Sequence, residues 1–293
     1  VWVTAERRGL VTASSFWPGS EAAIGEGDGV RPTFWGHYDD TVPDEKRVDE
    51  VLGWLDLPAE KRPRLITLYF DEPDGAGHAF GPASQAAASA VAHVDGMLGR
   101  LRAGVAARGL AKAVDWIVVS DHGMSGTDPE RTIVLADLVD LAGVDIDDLS
   151  TFGLLRPRRG TEDALVRRLT GAHPHLHVAR KSAVPEGLHY RAHRRIPEVV
   201  IWADAGWTIY ATATARAKAL ADFPLGNHGY DPAEHDMHGI FVAAGPSFQK
   251  GITTPPLDNV DVYPLLARLL GLPPAPNDGN AEATAGMLGE RMP

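Results

Sequence analysis

Two short, nearly continuous apolar runs bracket an alanine-rich stretch. They are Leu65-Ile66-Thr67-Leu68-Tyr69-Phe70 and Trp116-Ile117-Val118-Val119-Ser120. Apolar runs without alternation mark strands covered on both faces, as in parallel sheets. Between them, over residues 85–108, Val91, Val94, Met97, Leu98 and Leu101 recur at helical spacing and give one apolar face. Strand, helix and strand in that order predict a βαβ unit with a right-handed crossover. The fold class that follows is α/β, layered around a mostly parallel sheet.

The remainder of the chain extends this plan and interrupts it once. Val48, Val51, Leu52 and Leu55 predict a short helix that closes before Pro58. Residues 150–215 differ in character, with short strands predicted at 152–155, 175–178, 199–203 and 208–212 and one helix at 162–169. Clustered strands of this kind imply a small mixed lobe inserted into the main sheet. The apolar run at 240–244 resumes the main fold. Residues 261–271 then predict a last helix, opened by Pro264 and stopped by Gly271. From Pro273 to Pro293 the sequence is rich in Pro, Gly, Ala and Glu, which predicts a loosely held tail.

Composition narrows the chemistry. At 293 residues and 44% hydrophobic, the chain can bury a substantial core. Its net charge of −11 argues against binding nucleic-acid duplexes, which depends on Lys/Arg–phosphate contacts. It leaves a nucleotide substrate open, because bound cations can dominate the local field. With no cysteine there are no disulfides or thiolate metal sites. No apolar run approaches the ~20 residues of a membrane span, and the expectation is that residues 1–293 carry no signal segment.

Three Asp/His/Gly clusters adjoin the apolar runs. Asp74 and His78 follow the first strand, in a glycine-rich turn; Asp121 and His122 follow the second; His228 lies in Asn227-His228-Gly229 before the 240–244 run. In open α/β sheets ligands bind beyond the carboxyl ends of strands, so the first two clusters can meet at one rim. Carboxylate oxygen with neutral imidazole is a donor set that suits zinc. The competing reading is that these are loop residues which turn the chain and cap helices.

The pattern as a whole resembles the nucleotide pyrophosphatase/phosphodiesterase family of the alkaline phosphatase superfamily. The matching text is Tyr69-Phe70-Asp71-Glu72-Pro73-Asp74-Gly75-Ala76-Gly77-His78, Ser120-Asp121-His122-Gly123-Met124 and Gly226-Asn227-His228-Gly229-Tyr230-Asp231, with Phe16-Trp17-Pro18-Gly19-Ser20-Glu21 near the start. The resemblance implies an alkaline-phosphatase-like α/β/α sandwich. Residues 1–272 would form the catalytic domain without its N-terminal part, including the inserted lobe at about 150–215, and 273–293 the tail. It further implies two Zn²⁺ ions per active site, one held by Asp74, His78 and His228, with Asp121 and His122 as two ligands of the other. The family's remaining Asp and its Thr nucleophile match positions upstream of Val1, so residues 1–293 alone are expected to be weakly active or inactive. The implied reaction is hydrolysis of nucleotide phosphodiester or pyrophosphate bonds, releasing a nucleoside 5′-monophosphate by double displacement. The implied location is secreted or periplasmic. Other superfamily hydrolases (a phosphomonoesterase, a sulfatase, a lysophospholipase-type phosphodiesterase) and a non-catalytic zinc-binding fragment are the alternatives.

Further residues have narrower readings. Tyr38 matches a family aromatic that stacks on the nucleotide base; its plain alternative is a half-buried tyrosine. Thr33 stands downstream of the Pro18-Gly19-Ser20-Glu21 element, the wrong order for the nucleophile, and Thr67 reads as a packing residue. His173, His175 and His177 alternate as on a polar strand face. Residues Arg156 to Arg159 and Arg191 to Arg195 read as solvated surface, with phosphate contact near a site rim as the alternative. His238 is a second choice to His228 as a ligand. His189 and His193 are unassigned.

Overall fold

The computed structural model describes residues 1–289. Its strands are β1 (Thr12–Ser15), β2 (Phe34–Trp35), β3 (Leu65–Leu68), β4 (Trp116–Val119), β5 (Ser125–Gly126), β6 (Thr132–Val134) and β7 (Val144–Leu149). They continue with β8 (Phe152–Pro157), β9 (Leu176–Arg180), β10 (Val199–Ala203), β11 (Thr208–Tyr210), β12 (Gly226–Asn227) and β13 (Phe241–Ala244). The helices are α1 (Trp2–Glu6), α2 (Asp44–Leu55), α3 (Asp74–Phe80), α4 (Gln85–Ala107), α5 (Leu135–Leu138), α6 (Glu162–Leu169), α7 (Ala213–Ala219) and α8 (Val262–Leu269). The chain divides into two compact units. One comprises Val1–Asp71, Ala92–Val119 and the residues from Phe241; the other comprises Glu72–Val91 and Ser120–Ile240.

In the first unit β2, β1 and β3 form a parallel ladder with β1 at its centre. All four β1 residues are buried, as a central strand requires. The Glu6 carboxylate secures the entrance to this sheet, accepting hydrogen bonds from the backbone N–H and hydroxyl of both Thr12 and Thr33. Thr33 thus holds structure together, and the Thr67 hydroxyl donates to Ser14 across the β1–β3 ladder. The expected βαβ unit has different neighbours. The ladder partner of β3 is β1, whereas β4 pairs antiparallel with β13, from Phe241↔Val119 to Ala244↔Trp116. Apolar runs specify strands but carry no mark of which strand lies alongside.

The core of this unit joins Val48, Val51, Leu52 and Leu55 of α2 to Leu101 and Val105 of α4, with Ile66, Leu68 and Trp116 against them. Arg108 adds a two-pronged bond to Asp56, both N···O distances 2.7 Å. The α4 stripe is only partly covered, since Val91 is 53% exposed. A second cluster gathers Leu265 of α8 with Phe248, Met287 and Leu288. This corrects the expectation of a loose tail as far as Gly289. Two apolar side chains in an otherwise polar stretch suffice to dock it, and Phe248 bridges to Leu288. Residues 290–293 of that tail lie outside the described residues.

The second unit is organised by a four-stranded antiparallel sheet, order β7-β8-β10-β9. Its core includes Leu155, Val199, Ile201, Leu165 and Leu169. Helix α6 coincides with the predicted one; Glu162 and Asp163 in its first turn and Arg167 and Arg168 in its last complement the helix dipole. Two strands depart from expectation. β7 was not anticipated, because its Val144-Asp145-Ile146-Asp147-Asp148-Leu149 sequence is half acidic, and β11 pairs in parallel with β6 outside the four-stranded sheet.

Leu265 is fully buried. Leu265→Ala should lower unfolding stability by about 2–5 kcal/mol, the usual cost of a cavity left by a buried leucine. Val91→Ala, at an exposed site on α4, should stay within about 0.5 kcal/mol. Urea titrations of the two variants, giving equal losses, would overturn this account of the core.

Candidate metal centre

Asp74 and His78 were expected on a turn, but they lie on the short helix α3. Their spacing of four places both side chains on one face. Glycines at 75 and 77 weaken helix propensity, which hides this helix in the sequence. The Glu72 carboxylate compensates by accepting the Ala76 N–H at 3.0 Å. His78 Nδ1 lies 2.8 Å from the carbonyl oxygen of Gly226. A carbonyl only accepts, so Nδ1 carries the proton and Nε2 presents a lone pair.

That lone pair faces another acceptor. His78 Nε2 is 3.4 Å from Asp74 Oδ1, and His228 Nε2 is 3.7 Å from the same oxygen. Asp74 Oδ1 is buried and has no hydrogen-bond partner in the protein. A buried carboxylate oxygen without a donor is costly, and a cation placed between it and the two imidazoles removes that cost. One donor atom each from Asp74, His78 and His228 falls within a 4.8 Å cluster. The donors therefore fit a zinc-type ion.

His228 is held in place by its neighbours. Its N–H donates to Asn227 Oδ1 at 2.9 Å, and its carbonyl accepts from the Thr151 hydroxyl at 2.8 Å. Gly229 follows with φ +87°, and a Cβ there would meet Thr151 Oγ1 at 2.9 Å, so the turn needs glycine. Burial, then the neighbouring His122, pushes His228 below the ordinary imidazole pKa, which keeps it neutral and able to coordinate.

The Asp121 and His122 cluster adjoins these residues. The His122 ring stacks on His228 with centroids 3.5 Å apart. His122 Nδ1 lies 2.8 Å from the Gly123 carbonyl, so Nδ1 is the donor there, and in the neutral ring Nε2, 3.6 Å from Asp121 Oδ2, is left to accept. Among the described residues this pair forms no three-residue metal cluster of its own. His238 stays outside; its ring lies beside His235, at 5.3 Å. His175 and His177 both bond the Asp204 carboxylate, at 2.8 and 2.6 Å, and stack on Trp207 and Trp202.

Tyr38 belongs to the first unit, where it lines a cleft of about 450 Å³ with Phe16, Trp17, Glu21 and Tyr69. Tyr38 is 46% exposed, and its ring meets Phe16 edge-on at 5.6 Å. The Arg47 guanidinium lies 5.1 Å from the Phe16 ring and 5.9 Å from that of Tyr38, with its charge answered by Asp71 at 2.9 Å. Glu21 accepts the Tyr38 N–H at 3.0 Å. The parts that Phe16 and Glu21 play in this cleft were not assigned from sequence. Phe16, at φ +60°, is one of two non-glycine residues with positive φ among the described residues, a backbone conformation no local pattern announces.

Two outcomes test this geometry. His228→Ala should weaken zinc binding by at least about 100-fold, since even outer partners of metal ligands are worth 10–100-fold. Competition against a chromophoric chelator measures it, and unchanged affinity would remove His228 from the centre. Tyr230, 6% exposed, has its phenol pushed up to about 12 by burial. The unfolded phenol ionises near ~10, so the unfolded state sheds its proton first and stability falls as pH rises above about 10. Tyr230→Phe should flatten that alkaline fall, by up to about 2–3 kcal/mol at full ionisation, in denaturant titrations at pH 9 to 12.

The geometry can be set beside known proteins. The family model described as type I phosphodiesterase / nucleotide pyrophosphatase matches residues 1–231. Human ectonucleotide pyrophosphatase/phosphodiesterase family member 5 is 34% identical over 294 residues, which cover 100% of this chain and 59% of that protein. A venom phosphodiesterase from Crotalus durissus collilineatus is 36% identical over 291 residues, 95% of this chain and 34% of its own length. The chain thus spans about three-fifths of the human relative. Among solved structures, murine family member 5, an inactive variant in complex with AMP, superposes with a TM-score of 0.90 at 35% identity, covering 98% of this chain and 74% of that one. The human counterpart gives 0.91 at 34% identity, covering 99% and 74%. The fold is the alkaline-phosphatase-like α/β fold of these structures. From the matched family model and these relatives, the chain belongs to the type I phosphodiesterase / nucleotide pyrophosphatase family.

Proposed function

We propose that this protein hydrolyses phosphodiester or pyrophosphate bonds of nucleotides, releases a nucleoside 5′-monophosphate, and depends on zinc. The observation that carries the metal part is the Asp74 Oδ1 oxygen, buried without a donor and faced by two imidazole nitrogens. Asp74, His78 and His228 would hold one Zn²⁺, and Asp121 and His122 are two ligands of a second. Metal at this place supplies positive charge where phosphoryl oxygens gain negative charge. The family's threonine nucleophile, which would form and release a covalent nucleotidyl intermediate, is carried over from the resemblance.

The chain's own residues prepare the centre. The Gly226 carbonyl fixes the His78 tautomer, and the low pKa of His228 keeps its ring unprotonated at neutral pH. For the base, Tyr38 is the proposed stacking residue. It is exposed, and its position is set by Phe16 and Tyr69. AMP bound in the murine relative supports a nucleotide ligand. The relatives named as ecto-enzymes and a venom component support a secreted or periplasmic location. Among the described residues no helix is long and apolar enough to cross a membrane.

A chromogenic nucleoside 5′-phosphodiester should be hydrolysed by a zinc-loaded protein that carries the family's threonine, with the rate abolished by a chelator, and weakly or not at all by residues 1–293 alone. Faster turnover of a simple phosphate monoester would replace the diester reading with a phosphomonoesterase one. Turnover that survives metal removal would overturn zinc dependence.

A further inference from the structure

Three short segments of the second unit carry the proposed ligands. They are α3 with Asp74 and His78, residues 121–124 with Asp121 and His122, and the turn after β12 with His228. All three meet at one side chain. A Cβ built on Gly77 of α3 would lie 2.5 Å from the Met124 sulfur, and one built on Gly226 of β12 would lie 2.7 Å from the same atom. The Met124 thioether therefore packs against bare backbone on both sides, in space that any Cβ at those positions would take. Gly77 weakens α3 as a helix, and the room it leaves is what the sulfur occupies.

Hydrogen bonds tie these segments at their ends. The Leu225 N–H donates to the His78 carbonyl at 2.8 Å, and His78 Nδ1 donates to the Gly226 carbonyl. In the β12–β5 ladder Gly226 pairs with Gly126 and Asn227 with Ser125, which fixes the chain just beyond Met124. On its other side, the Gly123 N–H donates to the Met237 carbonyl at 2.9 Å. Such bonds decide which backbone atoms meet, but each tolerates a tilt of tens of degrees. The angle between α3 and β12 is left to whatever fills the wedge between them. Gly226 allows little else there, since its Cβ would also meet the Gly77 carbonyl oxygen at 2.5 Å. An unbranched, flexible thioether suits so irregular a gap.

We propose that Met124 is a positioning residue for the metal centre. Its sulfur is the spacer that holds α3 and the His228 turn at the separation where His78 Nε2 and His228 Nε2 lie 3.4 and 3.7 Å from Asp74 Oδ1. The role is one of distance and not of coordination. Because Met124 follows His122 by two residues, the same contact also registers the Asp121 and His122 pair against the first ligand set. The assignment rests on the zinc reading of the Asp74, His78 and His228 cluster.

Two measurements on the full chain test it. Zinc affinity, read by competition with a chromophoric chelator, should fall about 10-fold in Met124→Ala, the lower end of what outer partners of metal ligands contribute. Met124→Leu, close in volume, should recover most of that loss. Met97→Ala removes the same atoms from the α2–α4 core of the other unit and should leave zinc affinity unchanged. The second measurement needs no metal. Nitrogen NMR of the imidazoles in metal-free protein should show His78 held as the Nδ1–H tautomer in the parent and in Met124→Leu, and released to a mixture of tautomers in Met124→Ala. If Met124→Ala does not fold, Met124→Val, too short to reach both glycines, takes its place. A folded truncation with both readouts unchanged, or a loss of zinc affinity that Met97→Ala equals, would overturn the spacer. A parent chain that binds no zinc yet shows the expected His78 change counts against the metal centre alone, so the two failures are told apart.

Discussion

One carboxylate oxygen organises the second unit's chemistry. Asp74 Oδ1 is buried, has no donor, and lies 3.4 Å from His78 Nε2 and 3.7 Å from His228 Nε2. Three acceptors turned toward one point repel each other unless positive charge sits among them. Several nearby features serve that arrangement: the Gly226 carbonyl that orients His78, the Thr151 hydroxyl under the His228 carbonyl, and the stacked ring of His122. Without the central charge none of these contacts would have a common purpose, and the helix that carries Asp74 would be a poor helix for no gain.

The site was legible in the sequence to the extent that donor chemistry and strand context are local. Asp74, His78, Asp121, His122 and His228 stood out as three clusters beside apolar strands, and their ligand roles came from the resemblance. The choice of His228 over His238 came from the resemblance, and the structure puts His228 in the cluster with Asp74 and His78. The cleft around Tyr38 was only partly legible, since Glu21 and Phe16 reach it through a loop and a left-handed backbone. Nothing in the immediate sequence records that kind of convergence.

The same division holds for the fold. Helix α6 could be placed to the residue, because its apolar spacing, acidic start and basic end agree. The helix at 74–80 was missed, its two glycines outweighing a pattern only seven residues long. Strand β7 was missed because acidic residues occupy its exposed face. The partners of β3 and β4, and the docking of Met287 and Leu288 on Phe248, depend on contacts between distant parts of the chain. Local patterns describe elements, and only packing selects their neighbours.

The bond from His78 to the Gly226 carbonyl spans 148 residues of sequence. Closing so long a loop in a flexible chain carries an entropic cost that grows with the logarithm of its length. Here the intervening chain is not flexible, because the four-stranded sheet between those points folds on its own core of Leu155, Val199 and Ile201. That sheet leaves less chain to be closed between the two ends. The lobe is therefore more than an appendage: it is the clasp that holds Asp74 and His78 within reach of His228, the three residues that could hold a metal ion.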